Sequence, residues 1–517
     1  MRKTTYLNIL IGIAIFCVGF YLCRFQEINL DDETWFLQVV NRFLSGDVLY
    51  RDIFLGVTPL SVYITSFFCW LFGVELLVAR GVLVLYYVCT ILLTRAILQE
   101  LEIPQRYSLL LILAFFVFMH PQHTWAFSGY NSLACVFFLA CFLMMLKWTN
   151  RKSLSSLIFA GVFAGLCFGS KQNLGLIALF GVLASFFVSR RNKKEAFAIL
   201  LPFLLVGIGI LLPIFLQGGF DGFLEYAWLN KKKYLTSEHC NYFLIPPHWD
   251  SYSALIFAAP FLCTGIIFLA LLRSQKRNSI ILAIFLICSF LGLYPRPDNV
   301  QKLTCIPLIL ITILYGYNQI QSALRLQVRD FLHTTMIIWL FLGMGMRIYA
   351  KKEHLILCNL PHFKGVFITH EAHDHWWSVK DSLAKMEIDK NCFFLSTHGG
   401  FYYLLFELKN PTLFDYPIYP TLGLHGEDKV IDQIKTGEIH YVFTDHPSWT
   451  NWLEQKKDRR PLQLETYLKQ EMAAEDLGTI FQIYQTADSA NLQKKLLQKS
   501  RVELEYTPSK KRILRVT

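Results

Sequence analysis

The chain has 517 residues, of which 54% are hydrophobic and only 17% charged, and its formal net charge is +11. Soluble domains usually carry about 25% charged residues, so this composition argues against a water-soluble fold. The basic residues cluster in short loops between uncharged apolar runs, which indicates membrane topology rather than nucleic-acid binding.

Apolar runs begin near the N-terminus, where residues 6–23 follow Arg2 and Lys3. This run has no small-residue cleavage site and is followed by Arg24, so we interpret it as a retained helix. Further runs recur until about residue 350 and predict 11 to 13 transmembrane helices. The candidate segments are 5–25, 58–73, 77–98, 107–120, 129–148, 155–170, 174–189, 196–217, 251–272, 280–294, 303–317 and 331–349.

The basic loops near residues 150, 190, 275 and 325 are separated by two runs each, so they lie on one side of the membrane. The positive-inside rule makes that side cytoplasmic. Loop 26–57 then has conflicting assignments, because Arg2 and Lys3 place it outside while counting back from residue 150 places it inside. One short run, either 58–73 or 107–120, should therefore not cross the membrane.

After residue 350 the sequence becomes mixed and polar, with strand-like runs at 392–396 and 440–444 and a helix-like stretch at 426–435. This alternation is typical of a small α/β domain. We therefore predict an all-α polytopic membrane domain over 1–350 and an extracytoplasmic α/β domain over 351–517. The 13 cysteines imply no disulfide framework, and the absence of an Asn-x-Ser/Thr acceptor site favours a bacterial plasma membrane.

Three consecutive acids, Asp31, Asp32 and Glu33, stand in the first loop before an amphipathic stretch that runs to residue 43. Acids at a membrane boundary are costly unless they are solvated, paired or bound to a metal. One interpretation is a solvated helix start with Asp31 or Asp32 as N-cap. The other is a functional carboxylate cluster.

The residues after the acids favour the second interpretation. Their order resembles the membrane-embedded GT-C glycosyltransferases, specifically the family 39-like group of aminoarabinose transferases and protein O-mannosyltransferases. The resemblance spans roughly residues 1–320 and is most specific in the first 100. It is carried by Asp32-Glu33, the amphipathic stretch, Gly46 followed by Tyr50, Pro59-Leu60, Phe72-Gly73 and Ala79-Arg80.

The resemblance implies that Asp32 is the catalytic base and that Glu33 shapes the acceptor site, with Asp31 as the competing base. It implies that cations hold the donor phosphate, and that polar side chains line a substrate cavity. Interfacial anchoring of the basic residues is the alternative interpretation. The phosphate candidates are Arg296, Lys302, Lys171 and Arg80, and the cavity candidates are Tyr50, His123, Tyr130 and Asn131.

Two positions depart from the family pattern: Thr58 replaces its first proline, and Asn131 stands where a later loop often has an acid. The second departure weakens the case for a bound divalent metal, so no cofactor is expected. The group 370–375 contains three histidines, but a second ligand pair at a defined spacing is missing. The loop 221–250, with three consecutive lysines, is interpreted as a lid or as a segment attracted to lipid headgroups.

The predicted function is transfer of a sugar from a polyprenyl-phosphate donor to an extracytoplasmic lipid, glycan or protein. Such a reaction needs a carboxylate to deprotonate the acceptor and cations to stabilise the leaving phosphate. The rival class is a transporter or flippase, which predicts charges in mid-helix and two similar halves. A catalytically silent relative is a third possibility. Membrane lipids are expected partners, and nucleic acids are not.

Overall fold

The protein is described from a computed structural model. The described residues are 2–104, 107, 129–189, 193–230, 264–265, 268, 276–293, 304–320, 334, 355–385, 391–418, 421–445, 461–476 and 481–485.

Helices dominate the first 320 residues, as the apolar runs predicted. The described helices are α1 (Arg2–Cys23), α2 (Asp32–Leu44), α3 (Leu60–Phe72), α4 (Leu76–Glu100), α5 (Gly129–Arg151), α6 (Leu154–Ser170), α7 (Gln172–Val188), α8 (Phe197–Leu216), α9 (Arg277–Leu291) and α10 (Ile306–Ile320). Among the described residues, four segments are long and apolar enough to cross a membrane: Tyr6–Cys23, Leu76–Glu100, Gly129–Arg151 and Lys194–Leu216. The predicted runs 107–120, 251–272 and 331–349 lie largely or wholly outside the described residues.

Helices α6 and α8 pack closely because α6 carries small residues on the contacting side. A Cβ atom at Gly161 would lie 2.2 Å from the carbonyl oxygen of Ile199, and one at Gly165 would lie 2.8 Å from the Cβ of Val206. Small residues of this kind allow membrane helices to approach each other. The opposite side of α8 exposes large apolar side chains, including Phe197, Leu205 and Ile208. These side chains face the lipid.

The helix ends meet at two opposite faces. At the first, Arg151 pairs with Glu100 at 2.5 Å, and Asn278 donates to Asn150 at 3.3 Å. We call this the basic face, because it carries the predicted cytoplasmic loops near 150 and 275. Helices α5 and α9 end and begin there, respectively, and α4 ends there.

At the other face the last third of the chain is seated on the helix ends. Arg24, just after α1, donates to the carbonyl of Gly365 at 2.9 Å, and Leu76, at the start of α4, donates to the carbonyl of His362 at 2.8 Å. We call this the domain face. The first loop lies here too, since the Arg51 guanidinium donates to the carbonyl of Gln217 after α8.

Helix α3 has both ends on the domain face. Before it, the Thr58 hydroxyl donates to the carbonyl of Phe168 near the end of α6, and after it His362 contacts the carbonyl of Val74 at 2.7 Å. The segment 58–73 therefore does not cross, which removes the conflict over loop 26–57. Its exposed aromatic side chains, among them Trp70 and Phe72, suit a helix at a membrane interface.

The C-terminal part is an α/β unit, as predicted. Strands β1 (Leu355–Leu357) and β2 (Phe367–Thr369) pair antiparallel. A second sheet consists of β3 (Cys392–Leu395), β4 (Tyr441–Asp445), β5 (Ala473–Asp476) and β6 (Phe481–Gln485), in the order β3-β4-β6-β5. In that sheet β3 and β4 are parallel, with Cys392 opposite Tyr441, and the remaining pairs are antiparallel. The other elements of the unit are α11 (His370–Lys385), α12 (Gly399–Phe406), α13 (Gly426–Lys435) and α14 (Leu462–Glu471).

One hydrophobic core joins the first loop to the α/β unit. Leu37 of α2 and Ile53 of the first loop belong to the same buried cluster as Phe394 of β3 and Phe443 of β4. Burying apolar surface in common favours association of the two parts. The α/β unit is therefore packed directly on the loop that carries the acids.

Candidate active site

The acidic cluster lies at the start of α2, on the domain face. The side-chain oxygen of Asn29 accepts hydrogen bonds from the backbone N–H groups of Asp31 and Asp32, at 2.9 Å each. Asp31 occupies the N-cap position, but its side chain makes no capping hydrogen bond. Asp31 is therefore the N-cap residue, as the first interpretation of the sequence expected, but Asn29 rather than the Asp31 side chain satisfies these two backbone donors.

Glu33 forms a buried bidentate pair with Arg80 of α4. The guanidinium donates to the two carboxylate oxygens at 2.6 and 2.8 Å, and both side chains are at most 5% exposed. The remaining N–H groups of the Arg80 guanidinium donate to the backbone carbonyls of Cys23, Gln26 and Glu27. All five donors of Arg80 are thus used within the protein.

This arrangement corrects the assignment of Arg80 to the donor phosphate. Arg80 has no remaining N–H group for a donor phosphate, and its role in the structure is to hold α1, α2 and α4 together. Glu33 has one oxygen bonded to Arg80 and the other shared between Arg80 and the backbone N–H of Asn29. Glu33 therefore braces the start of α2, where Asp32 begins the helix.

Lys171 lies at the break between α6 and α7, and its backbone is extended there. The side chain is buried and lies near the thiols of Cys167 and Cys305. Cys305 directly precedes α10 and follows Lys302 by three residues. The fold thus brings Lys171 to the end of the late loop that contains the other predicted cations. Arg296 and Lys302 themselves lie outside the described residues.

The neighbouring Gln172 ties this break to the first loop. Its amide nitrogen donates to the carbonyls of Gly56 and Ala227, and its amide oxygen accepts from the backbone N–H of Thr58. The Lys171 break, the first loop and the segment after α8 consequently meet at one place on the domain face.

The cavity candidates lie at different depths. Tyr50 is 1% exposed with a positive φ of 67°, its hydroxyl donates to the carbonyl of Val57, and its ring packs edge-on against Phe223. Tyr50 therefore belongs to the core of the first loop rather than to a cavity wall. Tyr130 is half-buried and Asn131 fully buried near the start of α5. His123 lies outside the described residues.

The α/β unit brings a histidine to the acidic cluster. The Nε2 atom of His398 lies 3.3 Å from a carboxylate oxygen of Asp31. His398 follows the carboxyl end of β3 and precedes Gly399 and Gly400, which begin α12. The sequence analysis missed this residue. His398 follows a buried parallel strand, where ligand-binding residues often lie, and this position is the signal that could have identified it.

A second contact between the same two parts is centred on Arg42 of α2. Its guanidinium pairs with Asp47 at 2.9 Å and with Asp415 at 3.1 Å, and donates to the carbonyls of Thr412 and Asp52. Burial raises the pKa of Asp415, and the Arg42 guanidinium opposes this rise. The pair fixes the α/β unit to α2 about three turns beyond the acids.

The histidine group at 370–375 forms the start of α11. His373 accepts a hydrogen bond from the indole N–H of Trp377 at 2.9 Å and contacts Asp374 at 3.2 Å. Within the part of the chain that the structure describes, no group of three or more His, Cys, Asp or Glu residues is arranged to hold a metal ion. The loop 221–250 is described only to residue 230, and its three lysines lie beyond that point.

Solved structures share this architecture at low sequence identity. ArnT from Cupriavidus metallidurans bound to undecaprenyl phosphate aligns with a TM-score of 0.55 and 13% identity, covering 94% of this chain and 98% of that one. The archaeal oligosaccharyltransferase AglB from Archaeoglobus fulgidus, in complex with an inhibitory peptide and a dolichol-phosphate, aligns with a TM-score of 0.57 and 10% identity, covering 95% and 75%.

Arabinofuranosyltransferase AftD from Mycobacteria aligns with a TM-score of 0.51 and 13% identity, covering 92% of this chain and 40% of that one. No protein-family model matches the sequence, and the curated proteins contain no significant match. The similarity therefore concerns the fold.

Proposed function

The chain has the GT-C fold, and from this premise we propose that it is a membrane glycosyltransferase that uses a polyprenyl-phosphate-linked sugar. The neighbouring structures hold undecaprenyl phosphate or a dolichol-phosphate, which supports a donor of this class. The acceptor would be a lipid, a glycan or a protein on the domain face. We propose that this face lies outside the cytoplasm, because the opposite face carries the basic loops.

The observation that carries the proposal is the way the start of α2 is built. Asn29 accepts a hydrogen bond from the backbone N–H of Asp32, and Arg80 holds Glu33, so Asp32 begins α2 at a fixed position beside Asp31. Fixed placement of a reacting group lowers the entropic barrier of the reaction. A transporter needs no carboxylate held in this way at one face of the membrane.

In the proposed reaction Asp32 accepts the proton of an acceptor hydroxyl. The hydroxyl oxygen forms a bond to the anomeric carbon, and the bond from that carbon to the phosphate oxygen breaks. The polyprenyl phosphate leaves with the electron pair, and the configuration at the anomeric carbon inverts. Lys171, together with Arg296 and Lys302 of the late loop, would stabilise the charge on the leaving phosphate.

The test uses purified full-length protein in detergent with a panel of undecaprenyl-phosphate sugars carrying hexose, aminopentose or pentofuranose groups. We expect release of undecaprenyl phosphate from at least one donor, and Asp32→Asn should abolish it because the amide cannot accept the proton. Asp221→Asn is the matched control, since Asp221 is an exposed acid at another helix start. Wild-type turnover by Asp32→Asn would make Asp31 the base, and inactivity of the wild-type protein towards the whole panel would overturn the proposal.

A further inference from the structure

The contact between His398 and Asp31 connects two distant parts of the chain at the acidic cluster. The side chains are 33% and 28% exposed, respectively, so the pair lies at the surface of the cluster and not in the packed core. Asp31 directly precedes Asp32. A group that fixes the side chain of Asp31 therefore also fixes what surrounds Asp32.

The position of His398 is determined by close packing at the start of α12. A Cβ atom at Gly400 would lie 2.7 Å from the Cα of Trp35 in α2, and one at Gly399 would lie 2.7 Å from the carbonyl oxygen of Asp415. These distances leave room for glycine alone. The backbone N–H of His398 also donates to the Ser396 hydroxyl at 3.0 Å.

Contacts with β3 and α2 fix the remainder of α12. The buried Tyr403 hydroxyl bonds to the backbone of β3 at both Cys392 and Phe394, and Asp415 is held by Arg42 of α2. The backbone that carries the imidazole is thus fixed next to Asp31. A catalytic side chain is effective when a second layer of contacts orients it in this way.

From this geometry we infer that His398 is a positioning residue of the active site: it holds the carboxylate of Asp31 and thereby sets the environment of Asp32. The inference rests on the proposed function. Two neighbouring carboxylates repel each other, and an imidazole in contact with one of them holds it away from the other. His398 acts through Asp31 and does not itself touch the reacting atoms.

The alternative is that His398 has only a structural role as the N-cap residue of α12. Two substitutions distinguish these roles, because the residue that fulfils one role well fulfils the other poorly. Asn is among the best N-cap residues but is too short to reach Asp31, whereas Gln caps poorly but can place its amide N–H close to where Nε2 lies.

We measure kcat and KM for the undecaprenyl-phosphate sugar that gives turnover in the panel above. His398→Asn should lower kcat on the order of 10- to 100-fold with the donor KM unchanged, as expected when a reacting group is misplaced. His398→Gln should retain most of the wild-type kcat. His425 begins α13 in the same way and is exposed, so His425→Asn and His425→Gln are matched controls that should behave like the wild type.

A double-mutant cycle with Asp31→Asn completes the test. If His398 acts through Asp31, His398→Asn should cause no further loss of kcat in the Asp31→Asn background. Wild-type kcat in His398→Asn, or a larger loss in His398→Gln than in His398→Asn, would overturn the inference while leaving the proposed function intact. Inactivity of the wild-type protein would overturn the proposed function and this inference with it.

Discussion

At the scale of single residues, the three acids of the site differ in the contacts that hold them. Glu33 is bound by Arg80 and contributes to structure, whereas Asp31 is the N-cap residue and Asp32 the first residue of α2. A buried ion pair with every hydrogen bond satisfied gives little net stability, but removal of one partner leaves an uncompensated charge. The roles of the three acids therefore predict different consequences for their replacement.

Arg80→Met should destabilise the protein by about 3–5 kcal/mol, because it leaves the Glu33 carboxylate buried without its cation. Glu33→Gln combined with Arg80→Met should recover part of this loss. Thermal unfolding in detergent measures both. Arg51→Ala, which removes an exposed ion pair with Asp52, should leave the midpoint nearly unchanged. An Arg80→Met protein as stable as the wild type would contradict the bracing role.

Lys171→Met should lower donor turnover roughly 100-fold while the protein remains folded, because it removes a cation that we propose to lie near the departing phosphate. Arg95→Met is the matched control, since Arg95 is also buried in a membrane helix but lies near the basic face. We expect that variant to keep its kcat. Equal effects of the two substitutions on kcat would show that Lys171 is needed for stability alone.

At the scale of elements, α3 decides the topology of the first hundred residues. Its 13 residues span about 20 Å, which is too short for a comfortable crossing of a ~30 Å hydrocarbon core. The contacts of Thr58 and Val74 place both ends on the domain face. Helix α3 therefore lies along the interface between membrane and water.

Cysteines introduced at Arg51 and Glu75, on either side of α3, should react with a membrane-impermeant maleimide from the same side of the membrane. A cysteine at Arg151 should react only from the opposite side. The experiment uses intact cells and inverted vesicles, in a background whose native cysteines are replaced by serine or alanine. Reaction of the Arg51 and Glu75 positions from opposite sides would mean that α3 crosses.

Sequence patterns predicted the elements well where apolar periodicity was strong. The predicted 155–170, 196–217 and 426–435 correspond closely to α6, α8 and α13. The amphipathic stretch after the acids is α2. These features depend on local composition, which a sequence displays directly.

The pattern could not show which residues meet across long distances. The sequence analysis missed His398, and the pairing of Arg80 with Glu33 was not foreseen, because both depend on how the chain folds back on itself. It also did not predict β6 or its place between β4 and β5. Strand order is set by tertiary packing rather than by local propensity.

At the scale of the whole molecule, the C-terminal unit and the basic loops lie at opposite faces. Arg24 and His362 mark the first face, and Arg151 and Asn278 mark the second. If the basic face is cytoplasmic, the C-terminus is outside.

A reporter that is active only in the cytoplasm should be silent when fused after Thr517. The same reporter fused after Arg151, within the basic face, should be active and serves as the control. Strong activity of the C-terminal fusion would invert the topology and place the proposed acceptor site in the cytoplasm.

The contact between Arg42 and Asp415 joins residues 373 positions apart in the sequence. At synthesis rates of ~5–20 residues per second, roughly 20 to 75 s separate the emergence of the two partners from the ribosome. The acids are thus synthesised early, and the α/β unit that packs on their loop is synthesised later. A nascent chain would therefore hold the proposed catalytic centre unfinished until residue 415 has been made, and lipid-linked sugars would meet no complete site before then.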